Sequence, residues 1–444
     1  MACTITLSTA YTDLAARLYD PTNQFWTQPE LLLYLQEAMR EWNALAGYWR
    51  GDFLLTPTTS VRWYDITSLA AAPNTLRPLT LTVTSLYTII EYHLLEPPAA
   101  AGPWTGSAQF AISDLQFAVA RRRDELLGIT GCYITYATQA ATPGRQSLPA
   151  TTLDLRRLAF LPAATYGPPS TLWQDDAWAW ESFEPDYTTL PQGIPFTYAM
   201  NTQPLFSFDV DRNLNVPGEY ELLTTQGLGL ASTLNVPDDW AWVIKWGALA
   251  DLLGRESNAK DPLRAKYAEQ RYLQGMSLLA MAPALLAARV NNIPTPIDSV
   301  RAADAFNPNW EGAVVGAPAT ILAAGLNLCA LTPAPDSNPY SLLFTVVENC
   351  PVPELPADCI NVSEDIYEAI IDEAQHIAMF KCSGAEFAAT AAVHQRFLAI
   401  AAIYASRIAE MGEFAKVLYA QSQQESALNP RLTNDDPLEV ASGG

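Results

Sequence analysis

Apolar residues recur at intervals of three and four over Leu31, Tyr34, Leu35, Ala38, Met39, Trp42 and Leu45, which predicts an amphipathic helix. Thr27 and Glu30 are spaced for a capping box, Pro29 suits the first turn, and Gly47 supplies the stop. A second helix is expected over Ser113 to Leu127, opened by Ser113 and Asp114. The cations Arg121, Arg122 and Arg123 near its end suit the helix dipole and imply a solvated or inter-subunit face, or else a phosphate contact. Farther on, Asn235-Val236-Pro237-Asp238-Asp239 reads as cap, proline and first-turn acids. One apolar face continues through Trp240, Val243, Ile244, Gly247, Ala248 and Leu252, and Pro262 opens a partner helix ending near Met281. A last helical pair fills 361 to about 424, with a break at Ser383-Gly384.

Between these helices the period shortens to two. Leu79, Leu81 and Val83 alternate with Thr80, Thr82 and Thr84, which predicts a strand, while Leu86 to Leu95 fits either a strand or a short helix. Strands are also expected at Ser60–Ile66, Tyr133–Thr138, Thr151–Leu161 and Ser341–Val347. The uncharged stretch Gly312–Pro335 is long enough to span a bilayer, but its prolines, Asn327 and missing basic flank point to one or two buried strands. Residues 168–198 hold too many aromatics for a linker and read as an ordered, irregular arm. The pattern is that of an α+β chain, with helical bundles carrying large β-rich insertions. It divides into an N-terminal helix and strand (1–67), a β-rich insertion with the acidic aromatic arm (68–230), a helical pair (231–290), a second β-rich segment (291–358) and a C-terminal helical segment with a polar tail (359–444). NVPDDWAWVIKWGAL at 235–249 aligns with NVSEDIYEAIIDEAQ at 361–375, and Gln270-Arg271-Tyr272 falls opposite Gln395-Arg396-Phe397, with Asp114 and Arg121 hinting at a third copy. Either an internal repeat or convergent helix capping explains the match.

Composition narrows the function. The 444 residues carry 25 basic and 47 acidic side chains, a net charge of −22, so the surface as a whole cannot hold DNA by neutralising phosphates. Charged residues are 16% of the chain, against roughly 25% in typical soluble domains. With 12 Trp and 19 Tyr, this implies surface covered by other copies or partners. The acidity is local: residues 171–240 hold 11 acidic side chains against one basic, Arg212.

Signatures of catalysis are missing from the sequence. There is no GxSxG elbow, no Walker A and no dinucleotide fingerprint. His93, His376 and His394 match no zinc spacing, so neither metal nor cofactor is expected. Asp209-Val210-Asp211-Arg212-Asn213-Leu214-Asn215 imitates the start of a calcium loop, but Leu214 replaces its glycine and Tyr220 its final Glu, so a polar turn in a hairpin is expected. The six scattered cysteines form no disulfide framework, and reduced buried thiols are the default; Cys350 and Cys359 flank a turn and would pair if oxidised. The N-terminal segment does not read as a secretory signal. Trp178, Trp180, Tyr187 and Trp310 suit a sugar groove or, with no catalytic machinery required, interface anchors.

Two stretches, FWTQPELLLYLQEAMREWNALAGYWR at 25–50 and PDDWAWVIKWGALADLLGRESNAKDPLRAKYAEQRYLQGM at 237–276, resemble tailed-bacteriophage head-to-tail connector proteins, the adaptors or neck proteins beneath the portal. The resemblance covers about 66 of the 444 residues, and the chain departs from the small adaptors in its length and in the added unit 291–444. It implies a bundle of an N-terminal helix with a later helical pair and β-rich insertions between, and no catalytic residues. It also implies a homo-oligomeric ring, commonly of twelve subunits, that contacts the portal and other neck or tail proteins. DNA would pass through without specific binding, and no membrane would be involved. The protein would be made in the host bacterial cytoplasm and reside in the virion. On this reading Asp175, Asp176, Glu181, Glu184 and Asp186 are candidates for an acidic lumen or a solvated face. Glu37, Arg40, Trp42, Trp178 and Trp180 are candidates for the subunit interface, with ordinary core as the other reading of the helix residues. The polar tail after Leu428 would dock on the portal or remain loose. The competing expectation is a glycan- or receptor-binding tail protein, carbohydrate-active or not, using the Trp and acid residues of 173–187.

Overall fold

The computed structural model describes residues 5–423 except 68–69, 72–73, 76–79, 96–108, 164, 184–192, 202–205, 213, 215, 228–232 and 257–258. The polar tail therefore lies outside the described residues. The fold is α+β. Helix α1 (Leu7–Arg17) and helix α2 (Gln28–Ala46) start the chain, and at the head of α2 the Glu30 carboxylate accepts the Thr27 N–H at 3.3 Å. Gly47 ends α2 in the left-handed region, at φ 57°. Helix α3 (Tyr87–His93) and helix α4 (Ile112–Thr130) follow, then the short α5 (Ala177–Phe183). Asp238–Trp240 form a 3-10 turn that leads into α6 (Ala241–Gly254), and Asp261 caps α7 (Pro262–Leu279) by accepting the Arg264 N–H. After α8 (Val300–Phe306) come α9 (Glu364–Met379), α10 (Gly384–Ala389), α11 (Ala391–Ala405) and α12 (Gly412–Ser422). The expected C-terminal pair is thus four helices, with Ser383 and Gly384 both at positive φ at the break.

One apolar core runs through the bundle, from Leu7 of α1 to Leu418 of α12. Helix α2 packs on α9 and α11, α6 on α7, and α4 on α6. The helical stretches within 1–67, 231–290 and 359–423 therefore share one interior. Helices α6 and α7 approach closely because each lacks a Cβ at the crossing. A methyl at Gly247 would stand 2.8 Å from Tyr272, and one at Gly275 would stand 2.6 Å from Val243. Gly384–Ala405 is long and apolar enough to cross a membrane, but Phe387, Phe397, Leu398 and Ala401 lie in the core.

Three larger sheets attach to the bundle. In the first, β1 (Arg50–Leu55), β12 (Ala287–Val290), β13 (Ile293–Pro294) and β17 (Leu342–Val347) run in the order β1-β17-β12-β13, all antiparallel. Asn291 and Asn292, both at positive φ, form the tight β12–β13 turn. Phe53, Phe344, Val346 and Ala288 face the bundle core, and on the opposite face Arg50, Asp52, Leu54 and Arg289 are exposed while Val347 is partly covered. In the second sheet, β2 (Trp63–Asp65), β14 (Ile297–Ser299), β15 (Thr320–Ala324) and β16 (Leu328–Thr332) run in the order β14-β15-β16-β2. The uncharged stretch 312–335 thus holds two strands. A two-stranded ladder joins β3 (Ala70–Ala71) to β4 (Asn74–Thr75).

The third sheet has seven strands: β5 (Thr135–Ala140), β6 (Gln146–Ser147), β7 (Thr152–Pro162), β8 (Ser170–Asp175), β9 (Thr197–Asn201), β10 (Ser207–Val210) and β11 (Gly218–Gln226). Its order is β5-β11-β7-β8-β9-β10-β6, and it encloses its own core of Leu158, Phe160, Tyr198, Phe208, Tyr220 and Leu222.

Three local expectations are corrected. The strand expected from Leu79 to Val83 does not form over its described part. The Thr80 and Leu81 N–H groups donate to the Asp238 carboxylate at 3.0 Å each, which replaces a strand ladder, and Thr82 and Ser85 cap the helical turn into α3. The turn at 209–215 does not close a hairpin, because β10 pairs with β9 and β6 while β11 pairs with β5 and β7. Residues 170–175 of the expected irregular arm are a sheet strand, β8.

Candidate functional site

The bundle buries a cluster of charge. From α2, Glu37 pairs with Lys245 of α6, and Glu41 accepts from Arg271 of α7 at 2.7 and 3.0 Å. Arg271 also reaches Glu373 of α9 at 3.2 Å and His394 of α11 at 2.7 Å. Glu373 holds His394 Nδ1 at 2.6 Å, and His394 stacks on His376 with ring centroids 4.8 Å apart. His376 is bonded through one ring nitrogen to Tyr267 and through the other to Thr390. Burial pushes the Glu41 carboxyl up to about 8 and that of Glu373 to about 7, outweighing Arg271 beside them. Burial likewise holds all three histidines well below their ordinary value, so they are neutral. Three carboxyls then face Lys245 and Arg271, and burial also lowers Lys245 against the pull of Glu37, so Glu41 and Glu373 keep protons near neutral pH. A cavity of about 30 Å³ beside Arg271, His376 and His394 has room for one water and no substrate.

A second cluster locks the seven-stranded sheet to α8 and the turn that follows it. Arg157 of β7 donates to Asp304 at 2.7 and 3.0 Å and to Glu221 at 2.8 Å, and stands 2.8 Å from Glu311. Thr171 and Trp310 Nε1 also donate to Asp304. The guanidiniums of Arg62 and Arg157 each lie 5.4 Å from the Trp310 ring centre. Burial, with Glu311 adjacent, pushes Glu221 up to about 8. A third cluster joins Arg122 of α4 to Asp251 and Glu269, at 2.6 and 2.7 Å.

These contacts decide where the sequence-derived candidates lie. Trp42 is fully buried in the chain's own core against Phe397 and Tyr404, and Glu37 is spent on Lys245, which is the ordinary-core reading of these helix residues. Arg40 is half-buried. Trp310 is 3% exposed and joins two β segments, so it lines no groove. Arg122 and Arg123 are buried in ion pairs rather than solvated, and only Arg121 of that triplet is exposed.

The acidity of 171–240 is partly consumed inside. Asp209 pairs with Arg145 and Glu221 with Arg157. Asp238 holds Thr80 and Leu81, and Asp239 accepts from Asn43 at 2.6 Å and from the Cys350 N–H. Burial pushes Asp239 up to about 7. Asp175 and Asp176 remain exposed at the end of β8, where Asp175 accepts from Trp180 Nε1 at 2.9 Å and Asp176 from the Trp178 N–H at 3.0 Å. Trp178 is 77% exposed, Trp173 is 48% exposed and Trp180 is half-buried. The backbone of Glu181 lies in α5, while Glu184, Asp186 and Tyr187 fall outside the described residues.

No group of His, Cys, Asp and Glu among the described residues is arranged to hold a metal. Cys350 is a free buried thiol and Cys359 is in a disulfide, so those two do not pair and Cys359 departs from the reduced state expected of it. The two repeat-like stretches both lead into helices, two after the first and four after the second, and their acids act differently. Asp238 and Asp239 are buried and hold distant backbone, whereas Glu364 and Asp365 sit exposed in the first turn of α9. Comparison with protein-family models finds no match to this chain, and comparison with curated proteins finds none either.

Proposed function

We propose that the protein is a structural virion component that forms a ring in the head-to-tail connector of a tailed bacteriophage, beneath the portal, and extends the DNA channel. The bundle carries this reading. Helix α2 and the α6–α7 pair, where the resemblance lies, share one core and are tied by Glu37–Lys245 and Glu41–Arg271. The β-rich insertion between them has a core of its own. Three further features fit a non-catalytic scaffold. Glu41, Glu373, His376 and His394 are enclosed and joined through Arg271, hydrogen bonds and ring stacking, and the cavity touching the histidines has room for about one water. Each of the three buried clusters has one acid more than its bases, so most of the net −22 is carried outside them. A ring of such subunits presents carboxylates to its channel and lets DNA slide without adhering.

The competing reading, a glycan- or receptor-binding tail protein, draws on the exposed Trp173 and Trp178 beside Asp175 and Asp176. Negative-stain images of the purified protein, with a polysaccharide-binding assay on the same sample, separate the two. Closed rings that ignore polysaccharide support the connector. A monomer that binds or cleaves polysaccharide overturns it.

A further inference from the structure

The open face of the first sheet has the opposite character to the acidic aromatic end of β8. Side chains alternate across β1, β17 and β12, so Arg50, Leu54, Leu343 and Arg289 share the side turned away from the bundle core. Leu54 is 64% exposed and Leu343 is half-buried. Arg50 and Arg289 are exposed and carry no ion pair among the described residues. They stand opposite Val347 and Leu343 of the central strand, about 13 Å apart along the strands and about 10 Å across them, on either side of that strand. Asp52 on the same face is held by the Thr345 hydroxyl at 2.6 Å and leaves the patch net positive.

A face of this kind is unusual on a chain of net charge −22, most of whose surface repels its own copies. Its complement lies on the same chain: Trp173 and Trp178 exposed, with Asp175 and Asp176 beside them. Among the described residues the Asp175 and Asp176 carboxylates accept only from their own loop and α5, which leaves them lone pairs for a partner. We infer that the β8–α5 end of one copy docks on the open face of the first sheet of the next. Trp173 and Trp178 cover Leu54 and Leu343, while Asp175 and Asp176 meet Arg50 and Arg289. Because the two patches differ, the contact is head-to-tail and propagates around a ring when the rotation per subunit closes. This inference rests on the ring reading and moves Asp175 and Asp176 from the channel to the subunit joint.

The test uses the full-length protein, with assembly read by sedimentation and native mass, and folding by circular dichroism. Arg50→Glu with Arg289→Glu sets like charges against each other and is expected to weaken assembly by about 100-fold or more. Asp175→Asn with Asp176→Asn removes both charges, keeps the bond at Asp176 and one of the two at Asp175, and is expected to weaken it by about 10-fold. Adding Asp175→Lys and Asp176→Lys to the double Glu variant is expected to restore assembly. Folded variants that assemble like the parent, or a swapped chain that stays monomeric, overturn this contact and leave the ring standing. A parent protein that is monomeric throughout overturns both.

Discussion

Arg271 shows how a buried charge is kept. It is 3% exposed and divides its donors among Glu41, Glu373 and His394, on three helices distant in sequence. Arg271→Met leaves two carboxyls facing only Lys245, and is expected to cost about 3–5 kcal/mol in urea unfolding. Adding Glu41→Gln to it should recover part of that loss. Folded-state values near 7–8 for Glu41, Glu373, Glu221 and Asp239 lie above their ordinary 4.5 or 3.8. The folded chain therefore holds more protons than the unfolded chain as pH rises toward 8, and these groups lose their stabilisation over that range. The neutral histidines act in the opposite sense, favouring unfolding only below about 6.5. The melting temperature should therefore fall from about pH 6.5 to about pH 8 and level off above that, and a flat profile between those values would contradict the raised carboxyls. Part of this was legible. Helix α6 is apolar around its circumference, so Lys245, the one cation within it, had to be buried. Glu37 and Glu41 are like charges one turn apart, an arrangement that calls for facing cations. Their partners lie some two hundred residues away, and no local period names them.

At the scale of elements, helices with strong periodicity and caps were read correctly: α2, α4, α6 and α7 fall where spacing put them. The Thr80–Val83 segment was not, because its alternation is that of a strand while the groups that satisfy its backbone come from Asp238. The strands flanking 209–215 were read correctly and their pairing was not, since partners in a seven-stranded sheet are set by topology rather than by the intervening turn. The α6–α7 crossing is open to a direct test. Gly275→Ala places a methyl against Val243 and Trp242, and overpacking there should cost about 1–3 kcal/mol despite alanine's better helix propensity. A variant as stable as the parent would show that the helices have room to part.

In the whole molecule, the ends of the chain and its middle are interleaved. Strands from 50–65 complete sheets built from 287–347, and α2 lies against α9 and α11. The seven-stranded sheet is fastened to α8 and the turn that follows it through Arg157, Asp304, Glu311 and Trp310. Composition gave the acidity and the scarcity of charge, but not that the acids divide between buried fasteners and an exposed aromatic edge. That division leaves two unlike, complementary patches on one acidic subunit, and a ring is the closed assembly that uses both. Native mass measurement of the full-length protein at moderate salt tests this most directly. The account predicts one closed species at a fixed multiple of the chain mass, about twelve copies by the resemblance, that dissociates as salt rises. A single monomeric species at every concentration and salt would contradict it.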